Sequence, residues 1–199
     1  MKTKNIAVLV SGGGTNLQAI IDSYKAGKIT NGKLALVLSS NPNAYALERA
    51  ANNGIESCVI QKGETREAFS DAILAKLEEY SIDIIVLAGF MHILSGKIIS
   101  KYQNKILNVH PALIPSFCGE GFYGLRVHEA ALEYGVKVTG ATVHFVNEIP
   151  DGGEIIMQKA VAIRDGDTAE ILQKRVMRLA EWKILPAAVE KVSAEIISK

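Results

Sequence analysis

The sequence predicts an α/β fold: a doubly wound, mostly parallel open sheet with antiparallel strands in its C-terminal half and a long C-terminal helix. Three features lead there. Up to residue 88, short uninterrupted apolar runs alternate with stretches of helical length, as in a parallel sheet buried on both faces. Beyond residue 137 the runs alternate apolar and polar positions, the pattern of half-buried antiparallel strands. An amphipathic helical stretch then closes the chain.

Taken in order, residues 6–10 are the first apolar run, followed by a glycine-rich turn and a helix over about 15–26. Residues 33–39 repeat the pattern, with Asn41-Pro42-Asn43 as the turn before a helix ending near residue 53. A shorter strand over 56–60 precedes a strongly helical stretch over 65–80, for which Thr65 is a suitable N-cap. Residues 82–88 are the most hydrophobic strand, and 106–110 form a short one ending at His110-Pro111. A loop rich in Pro, Gly and aromatics spans about 112–124. Strands over 137–146 and 154–163 follow, and Asp167-Thr168 opens the last helix, interrupted at Pro186. With no repeat or linker, one domain over 1–199 is expected, its two halves meeting near residue 105.

A chain of 199 residues can bury roughly 70% of its unfolded surface, so it needs no metal or disulfide staples. The longest apolar runs, such as residues 84–88, fall far short of the ~20 residues of a membrane span. The N-terminus lacks the apolar stretch and cleavage site of a secretory signal. Two cysteines, Cys58 and Cys118, suit a reducing cytosol, and a cytoplasmic location is expected. A formal net charge of +1 without a basic stripe argues against a nucleic-acid partner. A small anionic ligand needs only a few local donors and stays allowed.

Ser11-Gly12-Gly13-Gly14-Thr15-Asn16 joins the first strand to the first helix. Glycines there let the backbone approach a phosphate, and the free N–H groups of a helix start favour negative charge. A tight turn with no ligand is the plainer alternative. No Gly-Lys-Ser/Thr follows, which excludes a Walker loop. Leu17 stands at the third glycine of a dinucleotide fingerprint, and the second strand ends in Ser39-Ser40-Asn41 rather than an acid. A mononucleotide or sugar phosphate is the better expectation.

Asn108 and His110, two apart on a strand, point to one side. Asp151 lies in the turn between the two later strands. An amide and an imidazole can stabilise an oxyanion, while a carboxylate orients the imidazole and favours its charged form. Three unrelated turn residues would give the same spacing. Zinc is the competing chemistry, from His110, Cys118, His128 and His144, but no close pair of ligands is present and no metal is expected. A hydrolase triad lacks its Gly-x-Ser-x-Gly elbow.

Six stretches, in order, resemble the glycinamide ribonucleotide formyltransferase family across nearly the whole chain. They are residues 6–19, 87–94, 108–115, 140–146 and 151–153, then Glu181 ahead of Ile184-Leu185-Pro186. The resemblance implies a single formyltransferase domain. Residues 1–105 would be its mononucleotide-binding half, and 106–199 its catalytic and folate-binding half. It implies transfer of a formyl group from 10-formyltetrahydrofolate, a cosubstrate, to glycinamide ribonucleotide. Asn108, His110 and Asp151 would be catalytic. Gly13, Gly14, Thr15 and Asn16 would hold the phosphate and nearby atoms of the ribonucleotide, with Glu181 on its ribose. Met91, His92, Ile93 and Leu94 would lie along the pterin, Arg66 would be another folate contact, and Asn147, Glu148, Ile149 and Pro150 would close the pterin pocket. Whether the enzyme is a monomer or a homodimer stays open.

Three departures stand out. His92 replaces an expected arginine, Trp182 an expected histidine, and the loop over 116–128 is longer than the family's usual version. Related formyltetrahydrofolate hydrolases carry an N-terminal regulatory domain and methionyl-tRNA formyltransferases an extra C-terminal one, and neither is expected in a chain of this length. A non-catalytic binding module would lack Asn108, His110 or Asp151, all present here.

Overall fold

The computed structural model describes residues 3–197. Met1, Lys2, Ser198 and Lys199, which the one-domain expectation took in, lie outside the described residues. The elements are β1 (Lys4–Val10), α1 (Thr15–Lys25), β2 (Gly32–Ser39), α2 (Tyr45–Asn52), β3 (Ser57–Val59), α3 (Arg66–Glu79) and β4 (Ile84–Leu87). They continue with α4 (Gly96–Lys101), β5 (Ile106–His110), α5 (Leu125–Tyr134), β6 (Val138–Phe145), β7 (Ile155–Ala162) and α6 (Ala169–Val176). A π turn (Met177–Glu181) then leads into α7 (Trp182–Ile197).

The strands form one sheet in the order β3-β2-β1-β4-β5-β6-β7. Parallel pairing runs from β3 to β5, whereas β6 and β7 are antiparallel to their neighbours. The expected doubly wound sheet with an antiparallel end is therefore present. Because side chains alternate along a strand, each apolar run feeds two cores. Ile6, Val8 and Val10 of β1 pack with Leu17 and Ile20 of α1 and with Leu185 and Val189 of α7. Ala7 and Leu9 face the other way, onto Phe69, Ile73 and Leu77 of α3 and Ile98 of α4. Thr65 caps α3 as expected, its hydroxyl accepting the Ala68 N–H at 3.1 Å.

Three expectations change. The loop read over about 112–124 ends where expected, but the stretch 116–128 compared with the family is not all loop, because α5 begins at Leu125 and buries Val127, His128 and Ala131. β6 is not half-buried: Thr139 to His144 are all buried, since the strand lies between β5 and β7 and is covered on both faces. The C-terminal helix is irregular at the π turn rather than at Pro186, which lies inside α7. The amide that Pro186 lacks would pair back to the junction at Glu181–Trp182, where the π turn already disturbs the ladder, so the proline is tolerated there. Among the described residues no helix is long and apolar enough to cross a membrane.

Candidate active site

The carboxyl ends of parallel strands are where open α/β sheets bind ligands, and β5 ends there in Asn108 and His110. Its antiparallel neighbour sets His144 directly opposite Asn108. Asp151, at φ 55° in the turn between β6 and β7, reaches back to both imidazoles. Its Oδ2 lies 3.4 Å from His110 Nδ1 and its Oδ1 3.5 Å from His144 Nε2. The Asn108 amide is 3.2 Å from His144 Nε2, and His144 Nδ1 donates to the Phe145 carbonyl at 2.8 Å. With its Nδ1 proton held there, His144 accepts from Asn108 when neutral and donates to Asp151 when charged. Asn108, His110 and Asp151 come together as expected, and His144 joins them.

Burial lowers the His110 pKa and His144 lowers it further, outweighing the pull of Asp151 and of the Phe117 carbonyl, which accepts from Nε2 at 2.8 Å. Asp151 does favour the charged imidazole, as the sequence argument held, but at 4% exposure desolvation outweighs it. Asp151 shows the opposite balance. Burial opposes its ionisation, but hydrogen bonds from His144 and the Gly119 N–H, with His110 nearby, hold its pKa below the usual value. A neutral imidazole beside a firmly ionised carboxylate can receive a proton and hold it.

A cavity of about 330 Å³ opens from this cluster toward the glycine-rich turn, lined by Thr15, Asn16, Asn108, His110, Asp151 and Glu181 among others. Gly14 adopts φ 69° as α1 starts, and a Cβ there would come within 2.7 Å of the Ala46 Cβ, so only glycine fits. Gly13 and Gly14 set the turn without lining the cavity, and the Gly13 carbonyl accepts from Arg49. Asn16 donates to Glu181 Oε2 at 2.7 Å, while its own Oδ1 is buried and unpartnered. Burial raises the Glu181 pKa against the opposing bond from Asn16. The π turn is what aims Glu181 inward, and such irregular turns recur at functional sites.

On the far side of Asn108 and Asp151 lies a second, smaller cavity of about 160 Å³, with His92, Ile93, Leu94 and Asn147 to Pro150 in its wall. Ile93 and Ile149, both 65% exposed, form an apolar rim, a feature of ligand-facing surfaces. Asn147 braces the closing turn by donating to Gly152 O and accepting from Ile149 N. Met91 lines the larger cavity instead. Arg66 is in neither wall; its guanidinium donates to the Leu94 carbonyl and so holds the 91–94 segment from behind. His92 packs edge-on against Phe69 and Phe90, and burial lowers its pKa.

Two residues entered the sequence reading as zinc candidates, not as parts of this site. His144 stands one residue before the end of the antiparallel strand β6, and that placement was the available signal. His128 is fully buried at the wall of the larger cavity, with neither ring nitrogen hydrogen-bonded, and burial together with His110 lowers its pKa to about 4. Cys118, a zinc candidate, spends its thiol on the Pro115 carbonyl. Among the described residues no group of three or more His, Cys, Asp or Glu side chains is placed to hold a metal.

Comparison with known proteins agrees with this geometry. Residues 4–189 match the formyl transferase family. The human trifunctional purine biosynthetic protein adenosine-3 is 47% identical over 195 residues, covering 97% of this chain but 19% of that protein. The chain thus spans about a fifth of its trifunctional relatives. Phosphoribosylglycinamide formyltransferase of Escherichia coli strain K12 is 40% identical over 187 residues, 93% of this chain and 85% of that one. The crystal structure of phosphoribosylglycinamide formyltransferase from Brucella melitensis superposes with a TM-score of 0.88 at 40% identity, covering 97% of each chain. A sheet with this strand order, a site at its carboxyl edge and relatives aligned over nearly the whole of this chain lead to one conclusion: the chain belongs to the formyl transferase family, among the phosphoribosylglycinamide formyltransferases.

Proposed function

We propose that this enzyme transfers the formyl group of 10-formyltetrahydrofolate to the amine of glycinamide ribonucleotide, releasing N-formylglycinamide ribonucleotide and tetrahydrofolate. The observation that carries the reading is the pair of cavities sharing Asn108 and Asp151 as a common wall. The larger takes the ribonucleotide, with its phosphate near Thr15 and the start of α1 and its ribose against Glu181. The smaller, apolar-rimmed one takes the pterin, so amine and formyl carbon meet at the shared wall. The two lobes of the single domain both contribute to each cavity, and a cytoplasmic location suits its two free cysteines.

In this mechanism the amine adds to the formyl carbon, and negative charge builds on the formyl oxygen. The Asn108 amide and the His110 imidazole stabilise that charge, typically about 10²–10³ in rate for one such donor. Asp151 supports the imidazole as it takes up the amine proton, and the pair then passes that proton to the departing folate nitrogen, worth about 10²–10⁴. The C–N bond to folate then breaks. The low resting pKa of His110 keeps it neutral and ready to accept a proton.

The test is to incubate purified protein with 10-formyltetrahydrofolate, with and without glycinamide ribonucleotide, and quantify formylated nucleotide and free formate. Formyl transfer that requires the nucleotide, with little formate, is the expected result. Formate release indifferent to the nucleotide would identify a hydrolase instead.

A further inference from the structure

We propose, on the formyl-transfer reading of this site, that Phe117 and Tyr134 are positioning residues for His110. Their paired rings seat the backbone carbonyl that fixes which nitrogen of the catalytic imidazole carries its hydrogen. Neither residue lines the two catalytic cavities, so both act through His110 and not on substrate.

The Phe117 carbonyl lies 2.8 Å from His110 Nε2. A carbonyl only accepts, so Nε2 carries the hydrogen, and in the neutral ring Nδ1 is a bare lone pair. That lone pair faces the Asp151 carboxylate at 3.4 Å. A carboxylate draws a proton to the nitrogen it faces, so Asp151 alone would select the opposite tautomer. The loop overrides it. The result is a vacant nitrogen on the side where Asp151 can support an arriving proton.

The carbonyl is held there at some cost, because Phe117 sits at φ 49°, in the left-handed region that bulky residues avoid. Its ring meets Phe122 at 6.5 Å and Tyr134 at 6.0 Å, both edge-on, within the range of attractive aromatic pairs. Tyr134 ends α5 and is 80% exposed, so it serves little core, and the ring it meets is that of Phe117. Two residues on, the Gly119 N–H donates to Asp151 Oδ2 at 2.9 Å. Residues 117–119 thus grip both members of the His110–Asp151 pair, and the Phe117–Tyr134 contact ties that grip to the end of a helix.

The test reads the tautomer directly, by nitrogen-15 NMR of the substrate-free protein labelled in its four histidines, at pH 7.5. The His110 signals are those lost in His110→Gln. Wild type should show the Nε2–H tautomer. Tyr134→Ala should move population toward Nδ1–H. Phe117→Gly, where glycine accepts the same φ but brings no ring, should move it further, and Tyr134→Phe should restore it. With unchanged circular dichroism, kcat for nucleotide-dependent formyl transfer should fall about three- to tenfold in Tyr134→Ala and about tenfold or more in Phe117→Gly. A wild-type His110 in the Nδ1–H form overturns the proposal. So does a tautomer that neither variant moves, even where kcat falls, because the rings then serve only the fold. Absence of formyl transfer in the wild type would overturn the functional reading instead, while the tautomer, read without substrate, still decides what the rings do.

Discussion

Asp151 Oδ2 lies 3.4 Å from His110 Nδ1, on a ring whose other nitrogen already donates to a backbone carbonyl. The carboxylate therefore faces the nitrogen that gains a proton when the ring becomes charged. Removing its charge should matter most after the amine has attacked. Asp151→Asn is expected to lose at least about 10²-fold in kcat while urea unfolding stays close to wild type. A variant that turns over at near-normal rate removes Asp151 from the mechanism.

His144 holds Asn108 and Asp151 from one ring nitrogen, 3.2 and 3.5 Å away. It acts through them as a positioning residue. His144→Ala is expected to lower kcat by about 10–100-fold, the scale of a misplaced catalytic group, with both KM values within about threefold. An equal rise in KM with unchanged kcat would mean that His144 serves binding instead.

Glu181 and Asn16 join the π turn to the start of α1 across the larger cavity, the one proposed for the ribonucleotide. Glu181→Gln keeps the shape but removes the strong acceptor for a ribose hydroxyl. The KM for glycinamide ribonucleotide should rise about tenfold or more, and that for the folate should not move. Steady-state kinetics with each substrate varied in turn distinguishes the two; a parallel rise in both disproves the assignment.

His128 gives a stability prediction with a definite sign. Its folded pKa of about 4 lies below the unfolded value of 6.5, so the unfolded chain binds the extra proton first. Its neutral form supports the fold fully above pH 6.5, and that support is lost as pH falls toward 4. The loss is on the order of 2–3 kcal/mol across that window. Urea midpoints measured at pH 7.5 and pH 5 should fall steeply for wild type. They should fall less for His128→Leu, which has no proton to bind. Equal pH dependence in the two proteins would place the titration elsewhere.

Much of this architecture is local information. The run at residues 6–10 is apolar at every position because β1 is buried on both faces, and no helix of a soluble domain asks for that pattern over so short a length. Thr65 announces α3 because a cap is a contact between residues three apart. Helices α4 and α5 were missed because six residues, or ten following a glycine-rich loop, carry too few turns for a clear period. Asn108 and His110 were legible as a pair, since two residues of one strand must point the same way.

By itself, then, the sequence determined the strand–helix alternation, the glycine-rich turn and the chemical types at the site, all set by neighbours along the chain. Only the tertiary structure decided that Asp151 serves two imidazoles, that His144 and not Cys118 joins them, and that the rest state of His110 is uncharged. Those outcomes depend on strand register across 36 residues between Asn108 and His144 and on how completely water is excluded. Desolvation and pairing are properties of the packed assembly, and no single segment of the chain encodes them.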